Sequence, residues 1–127
     1  MNEIQKMKDK SKILQKEGET LFNNAKTKND YLKAKEKFDE AWKVYNNEES
    51  LQKKIIETEC WINIKIAEDY FNSKEYIKAS NEYNKALTLA KSGNLTNLIN
   101  KSNEFIIFYR KKNFLLWKII KFRTNFK

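Results

Sequence analysis

Proline and histidine are absent from this chain of 127 residues, glycine occurs twice and cysteine once. With no proline, and only Gly18 and Gly93 free to take unusual backbone angles, the tight turns that join β-strands lack their usual residues. An all-α chain is expected. The missing histidine removes the side chain that titrates nearest neutral pH, and Cys60 has neither a histidine to activate it nor a second cysteine to bridge. No glycine-rich phosphate loop and no clustered metal-ligand motif occurs. The acid pairs Asp39–Glu40, Glu48–Glu49 and Glu68–Asp69 are adjacent in sequence, so they diverge on a helix as solvated charges do. No catalytic residue, metal or cofactor is expected, and the chain does not read as an enzyme. No apolar run approaches the roughly 20 residues that span a bilayer. Met1 to Lys16 alternates charge with isolated apolar residues, unlike a secretory signal, and one lone cysteine suits a reducing compartment. A cytoplasmic location is therefore expected.

What is plentiful is positive charge, and its position matters more than its sum. The formal charge is +9, yet residues 1–104 carry 19 Lys and Arg against 17 Asp and Glu, while residues 105–127 carry seven cations and no acid. A nearly neutral helical domain over 1–104 thus precedes a basic, aromatic tail over 105–127.

Helical periodicity divides the body into five segments. Ile4, Met7, Ser11, Leu14, Gly18, Leu21 and Ala25 recur at steps of three and four and predict a first helix with one inward face, ending near Asn24. Asp30 is placed to cap a second helix over about 31–46. A third, over about 51–72, turns Leu51, Ile55, Ile62, Ile66 and Tyr70 inward, with gaps at Thr58 and Glu59. Ser73 precedes a fourth over about 75–91, Gly93–Asn94 suits its stop through positive φ, and a fifth begins near Leu95. Across these segments one pattern occurs twice, 45 residues apart: Tyr31, Ala34, Phe38, Ala41 and Tyr76, Ala79, Tyr83, Ala86. Alanines at this spacing let antiparallel helices approach closely while aromatics fill the adjoining gaps.

On these residues the chain resembles the tetratricopeptide repeat family, in its longer-repeat scaffolding branch. Unit 2, about 51–91, is matched by Ala67 and Tyr70 followed by Tyr76, Ala79, Tyr83, Ala86 and Leu87. Unit 1, about 4–46, is matched by Gly18, Phe22, Tyr31, Ala34, Phe38 and Ala41, with an inter-helix loop about four residues longer than the family's. A partial third unit starts near 95 with Ser102 and Phe105 but then meets Phe114, Lys118 and Lys121. The alternative is a generic antiparallel bundle. The resemblance implies a short array of stacked hairpins that binds another protein or peptide and scaffolds it as an adaptor. It also implies a concave groove lined by Gln15, Glu19, Phe22 and Asn23 from unit 1, Trp61, Ile64, Glu68, Phe71 and Asn72 from unit 2, and Ile99, Asn103 and Ile106 from the partial unit. That surface is apolar with two carboxylates and favours an amphipathic helix or extended peptide with apolar anchors and some basic residues. The equally admissible reading places Trp61 and Phe71 in the core. The cationic clamp by which one branch of the family holds acidic chaperone tails is absent, because the corresponding positions are Gln15, Glu19, Lys65, Thr96 and Asn100. No such binding is expected there.

The tail leaves three readings open. It extends the fifth helix to cover the last hairpin, or it anchors the chain at an anionic membrane surface through Phe114, Trp117, Ile119 and Phe122 with Lys118, Lys121 and Arg123, making a peripheral membrane adaptor. Nucleic-acid contact is the weakest reading, since aliphatic residues dominate and the body is nearly neutral. The basic, apolar tail also complements a groove holding Glu19 and Glu68. It is a candidate occupant of that groove in its own chain or in a neighbouring copy, so a homo-oligomer stays among the expected partners.

Overall fold

A computed structural model of the chain describes residues 2–108 and 111. Four α-helices run Glu3–Asn23 (α1), Lys28–Val44 (α2), Glu49–Asn72 (α3) and Tyr76–Ser92 (α4), and a fifth helical stretch, α5, covers 96–108. No strand occurs among the described residues, and the chain is all-α.

Each helix begins and ends for a local reason. Asn2 caps α1 by accepting the Gln5 backbone N–H at 2.8 Å. At α2 the cap is Thr27 rather than Asp30. The Thr27 hydroxyl accepts the Asp30 N–H, and the Asp30 carboxylate accepts the backbone N–H groups of Lys26 and Thr27, which hold its carboxyl below the usual carboxylate range. Helices α3 and α4 end alike. Lys74 N–H bonds Phe71 O and Glu75 N–H bonds Tyr70 O, while Asn94 N–H bonds Lys91 O and Leu95 N–H bonds Ala90 O. Both are Schellman closures, with Lys74 (φ 63°) and Asn94 (φ 54°) in the left-handed region. Positive φ thus falls to Asn94 and not to Gly93. Gly93 is buried with Ile56 Cγ2 3.1 Å from where a Cβ would sit, so it serves a close approach of α4 to α3.

The helices pair antiparallel in chain order. Ser11 Oγ donates to Ala41 O at 3.1 Å and Phe22 meets Tyr31 at the other end of the first hairpin. In the second, Cys60 Sγ donates to Ala86 O at 3.5 Å and Phe71 meets Tyr76. Ser11 and Cys60 lie 49 residues apart, whereas Ala41 and Ala86 lie 45 apart. The difference of four is the insertion expected in the first inter-helix loop. Only one of those four residues lengthens the loop, which spans 24–27 against 73–75, because α2 starts three residues ahead of Tyr31 whereas α4 starts on Tyr76.

Within each hairpin the repeated residues form the core. Ala34, Phe38, Ala41 and Leu51 make one buried cluster; Cys60, Ile64, Ala67, Ala79, Tyr83, Ala86 and Ala90 make another, joined by Leu98 and Ile106 of α5. Burying a ring such as Phe38 contributes about 1.5–3 kcal/mol relative to leaving it exposed. Burial also pushes the Cys60 thiol up to about 12, with Glu59 and Glu57 adding to the effect, so it packs as a protonated group.

Two inward faces depart from expectation. On α1 only Ser11 and Gly18 are buried, and Ile4, Met7 and Leu21 are exposed. Ile4 and Met7 precede the Ser11–Ala41 contact, and α2 stops at Val44, so the start of α1 overhangs its partner. On α3 the buried residues are Leu51, Thr58, Cys60, Ile64 and Ala67, while Ile55, Ile62, Ile66 and Tyr70 are half-buried. A helix packed against α2 on one side and α4 on the other has no single inward stripe, and Thr58 fits because its hydroxyl bonds Lys54 O at 2.7 Å. Helix α5 continues through residue 104, where the charge composition changes: Phe105 stacks on Tyr83 at 4.6 Å, and Ile106 is buried.

A Cβ on Gly18 would stand 2.8 and 2.9 Å from Phe38 ring carbons, and Phe38 is enclosed. Gly18→Ala gains about 1 kcal/mol of helix propensity but overpacks the site by about 1–3 kcal/mol. The expected result is net destabilisation, seen as a lower urea midpoint with an unchanged slope; a raised midpoint would refute the tight approach.

Candidate functional site

Three helices, α1, α3 and α5, bring the expected groove residues together only in part. Trp61, Lys65, Glu68 and Asn72 follow one another at steps of three and four along one face of α3. Trp61 and Glu68 are half-buried and Asn72 is exposed. Glu19, Asn23 and Asn103 are exposed, and Phe22, Phe71 and Ile99 are half-buried. Ile64 does not belong to the face. It is completely buried, because it sits four residues after Cys60 and three before Ala67 on the side of α3 that meets α4. Ile106 is likewise core. Gln15 is spent on structure: its amide donates to Ser11 Oγ at 3.1 Å and to Glu48 Oε2 at 3.2 Å, tying α1 to the start of α3. Phe114, Trp117, Lys118, Lys121, Phe122 and Arg123 lie outside the described residues.

The aromatics of this face form a ladder that crosses both hairpins. The Phe22 ring stands edge-on to Tyr31, centroids 5.5 Å apart, and Tyr31 stacks on Trp61 at 5.7 Å with 5° between planes. Lysines close both ends. Lys54 Nζ lies 3.7 Å from the Phe22 centroid, and Lys101 Nζ lies 4.2 Å from the Trp61 centroid and 5.8 Å from that of Phe105. Trp61 and Phe22 are therefore neither wholly core nor free groove residues. Each is held by Tyr31 on one side and covered by an ammonium on another. Phe71 packs at the far end of α3 against Tyr76 and Phe108.

Charge around the ladder is mixed. Glu68 pairs with Lys65 at 3.2 Å, and Lys35 bridges Asp39 at 2.7 Å and Glu59 at 3.7 Å across α2 and α3. Its bond to Asp39 holds the Lys35 ammonium above the usual lysine range. Lys101 goes the other way. Burial lowers it, Lys65 reinforces the shift and Glu68 opposes it. Next to Glu68 an open cleft of about 420 Å³ lies between the 26–29 turn and α3, lined by Lys26, Thr27, Lys28 and Asn29 on one side and Lys65, Glu68, Asp69 and Asn72 on the other. Among the described residues no group of three or more Cys, Asp or Glu side chains is placed to hold a metal, and no helix is long and apolar enough to cross a membrane.

No protein-family model, curated protein or solved structure matches the chain. The site is thus defined by its own geometry. The partners that sequence reasoning missed are Tyr31, expected only as core, and Lys54 and Lys101. The four-residue step from Lys101 to Phe105 foreshadows one of the cation–ring contacts. Nothing local foreshadows Lys101 over Trp61 or Lys54 over Phe22.

Tyr31 is the rung that both hairpins share, and truncation removes contacts to Phe22 and Trp61 together. Tyr31→Ala is expected to cost about 3–5 kcal/mol in urea unfolding, at the level of other buried aromatic truncations. A loss of under about 1 kcal/mol, the size of a single ring pair, would deny the ladder its role as the joint.

Proposed function

We propose that this chain is a non-catalytic interaction module whose α1, α3 and α5 face holds a peptide or helix with apolar anchors and basic residues. The observation that carries the reading is the open face of α3, where half-buried Trp61 and Phe71 lie along the helix on either side of Glu68, beside an open cleft. Aromatic edges supply contact area at low entropic cost, and the Glu68 carboxylate, on exchanging Lys65 for a cation of the ligand, favours basic over acidic peptides. The matched register of the hairpins, with equivalent Ser11 and Cys60 bonds, supports a tetratricopeptide-like array as the organising unit, adapted to scaffold a partner. A buried, protonated Cys60 suits a cytoplasmic setting.

A second reading has its own observation. Ile107 and Phe108 are 54% and 49% exposed where α5 leads into the basic tail, and Lys111 beyond them is exposed as well. Together with the cations of 110–127 this is the composition of an interfacial anchor, and it supports a peripheral membrane adaptor.

Panning a random peptide library against the full chain separates the two. Selected peptides are expected to carry apolar anchors with Lys or Arg, and to bind Glu19→Lys and Glu68→Lys variants of unchanged helicity roughly tenfold more weakly, about 1.4 kcal/mol. Acidic consensus peptides, or affinities indifferent to both reversals, would overturn the groove. Protection of amides in 105–127 that appears only with anionic vesicles would establish the adaptor reading instead.

A further inference from the structure

Lys101 is held in an unusual way. Its ammonium is partly desolvated against Trp61 and Phe105, yet it makes no salt bridge with any described carboxylate, and the carboxylate that influences it, Glu68, is taken by Lys65 at 3.2 Å. Among the described residues its close partners are the two ring faces, while Glu68 acts on it from beyond salt-bridge distance. A cation–π contact of this kind is worth on the order of 0.5–2 kcal/mol, so the arrangement is readily exchanged for a better one. The Trp61 face is also well prepared for exchange. Tyr31 stacks behind the indole and fixes its plane, Glu68 stands two turns along the same face of α3, and the cleft beside Glu68 has room for an extended backbone.

A guanidinium fits this place better than the ammonium that fills it. It is planar, more weakly hydrated than an ammonium, stacks on an indole, and can hold a carboxylate with two parallel N–H bonds. Lys101, once displaced, regains its hydration, and Lys65 yields a pair that is worth little at a half-exposed site.

We propose that the face of Trp61 under Lys101, together with Glu68, is an arginine-binding subsite which Lys101 occupies in the free protein and which an arginine of the partner peptide takes over. The proposal rests on the groove reading for the peptide that brings the arginine. The subsite itself is defined by Trp61, Glu68 and Lys101 alone. Lys101 then acts as a built-in competitor that tunes affinity: the apparent dissociation constant is the intrinsic one divided by the fraction of molecules whose Trp61 face is open.

The test is a titration of the full chain with N-acetylarginine amide, followed at the Trp61 indole N–H resonance. Trp42 and Trp117 are distinguished by single Phe replacements. In Lys101→Ala the half-saturating concentration is expected to fall about tenfold, as for a face that Lys101 fills about nine-tenths of the time. Glu68→Gln in the same background should return most of that gain, and the neutral isostere N-acetylcitrulline amide should move the resonance in neither protein. Lys101→Met keeps the aliphatic stem and removes the charge, so it must show the same direction of change even if the alanine variant loses helicity. Equal half-saturation in wild type and both Lys101 variants, or equal response to citrulline, overturns the subsite. Peptides that bind wild type and Lys101→Ala alike, with no arginine requirement, overturn it while leaving the groove intact. Arginine amide that titrates as described, when no library peptide binds, supports the subsite and removes the groove.

Discussion

Both hairpins depend on the approach of two helix backbones at residues that carry almost no side chain. Gly18, Ala34 and Ala41 in the first, and Ala67, Ala79 and Ala86 in the second, are buried completely or nearly so. Small residues at the crossing bring the axes together, and that closeness lets Ser11 Oγ and Cys60 Sγ reach carbonyl groups on the facing helix. The rings of Phe38 and Tyr83 fill the space the alanines leave, and both are enclosed. A methyl group gained at Gly18 or a methylene lost from Phe38 would be felt along the hairpin, since close-packed interiors have nowhere to put a misfit.

Joining the hairpins is a different matter: Leu51 and Ile55 at the start of α3 pack on the α2 cluster, and further along the two helices meet through rings and charges. Tyr31 of α2 lies flat on Trp61 of α3, and Lys35 links Asp39 of its own helix to Glu59 of α3. The two apolar clusters are distinct, one centred on Phe38 and the other on Tyr83. The rings that bridge them are the same rings that reach the open face. Stability and recognition therefore draw on the same side chains, and the half-burial of Trp61 and Phe22 follows from that double use. Lysines at each end of the ladder cover aromatic surface that would otherwise face water.

Much of this was legible in the chain. The doubled aromatic and alanine spacing identified the cores of both hairpins residue by residue, since every one of those positions but Tyr76 is buried, and Tyr76 packs against the same core. Helical patterns report the face a helix turns to one neighbour, and they served well for α2 and α4, each of which presents a single buried stripe. They served poorly for α3, which is enclosed from two sides, and for the overhanging start of α1, where the apolar spacing continues past the end of its partner. Ile64 illustrates the cost. Placed on the groove by the family resemblance, it lies in the core because α4 covers its side of α3.

The all-α class, the helices to within a few residues and the small residues at each crossing were readable in the chain, because these follow from periodicities within a single helix and from capping groups two or three residues away. Tertiary structure alone decided that Gln15 would be tied to Glu48, that Tyr31 would join Phe22 to Trp61, and that Lys54 and Lys101 would cover their rings. Those contacts pair residues many turns apart on different helices, and no local spacing encodes the angle and offset at which two helices meet.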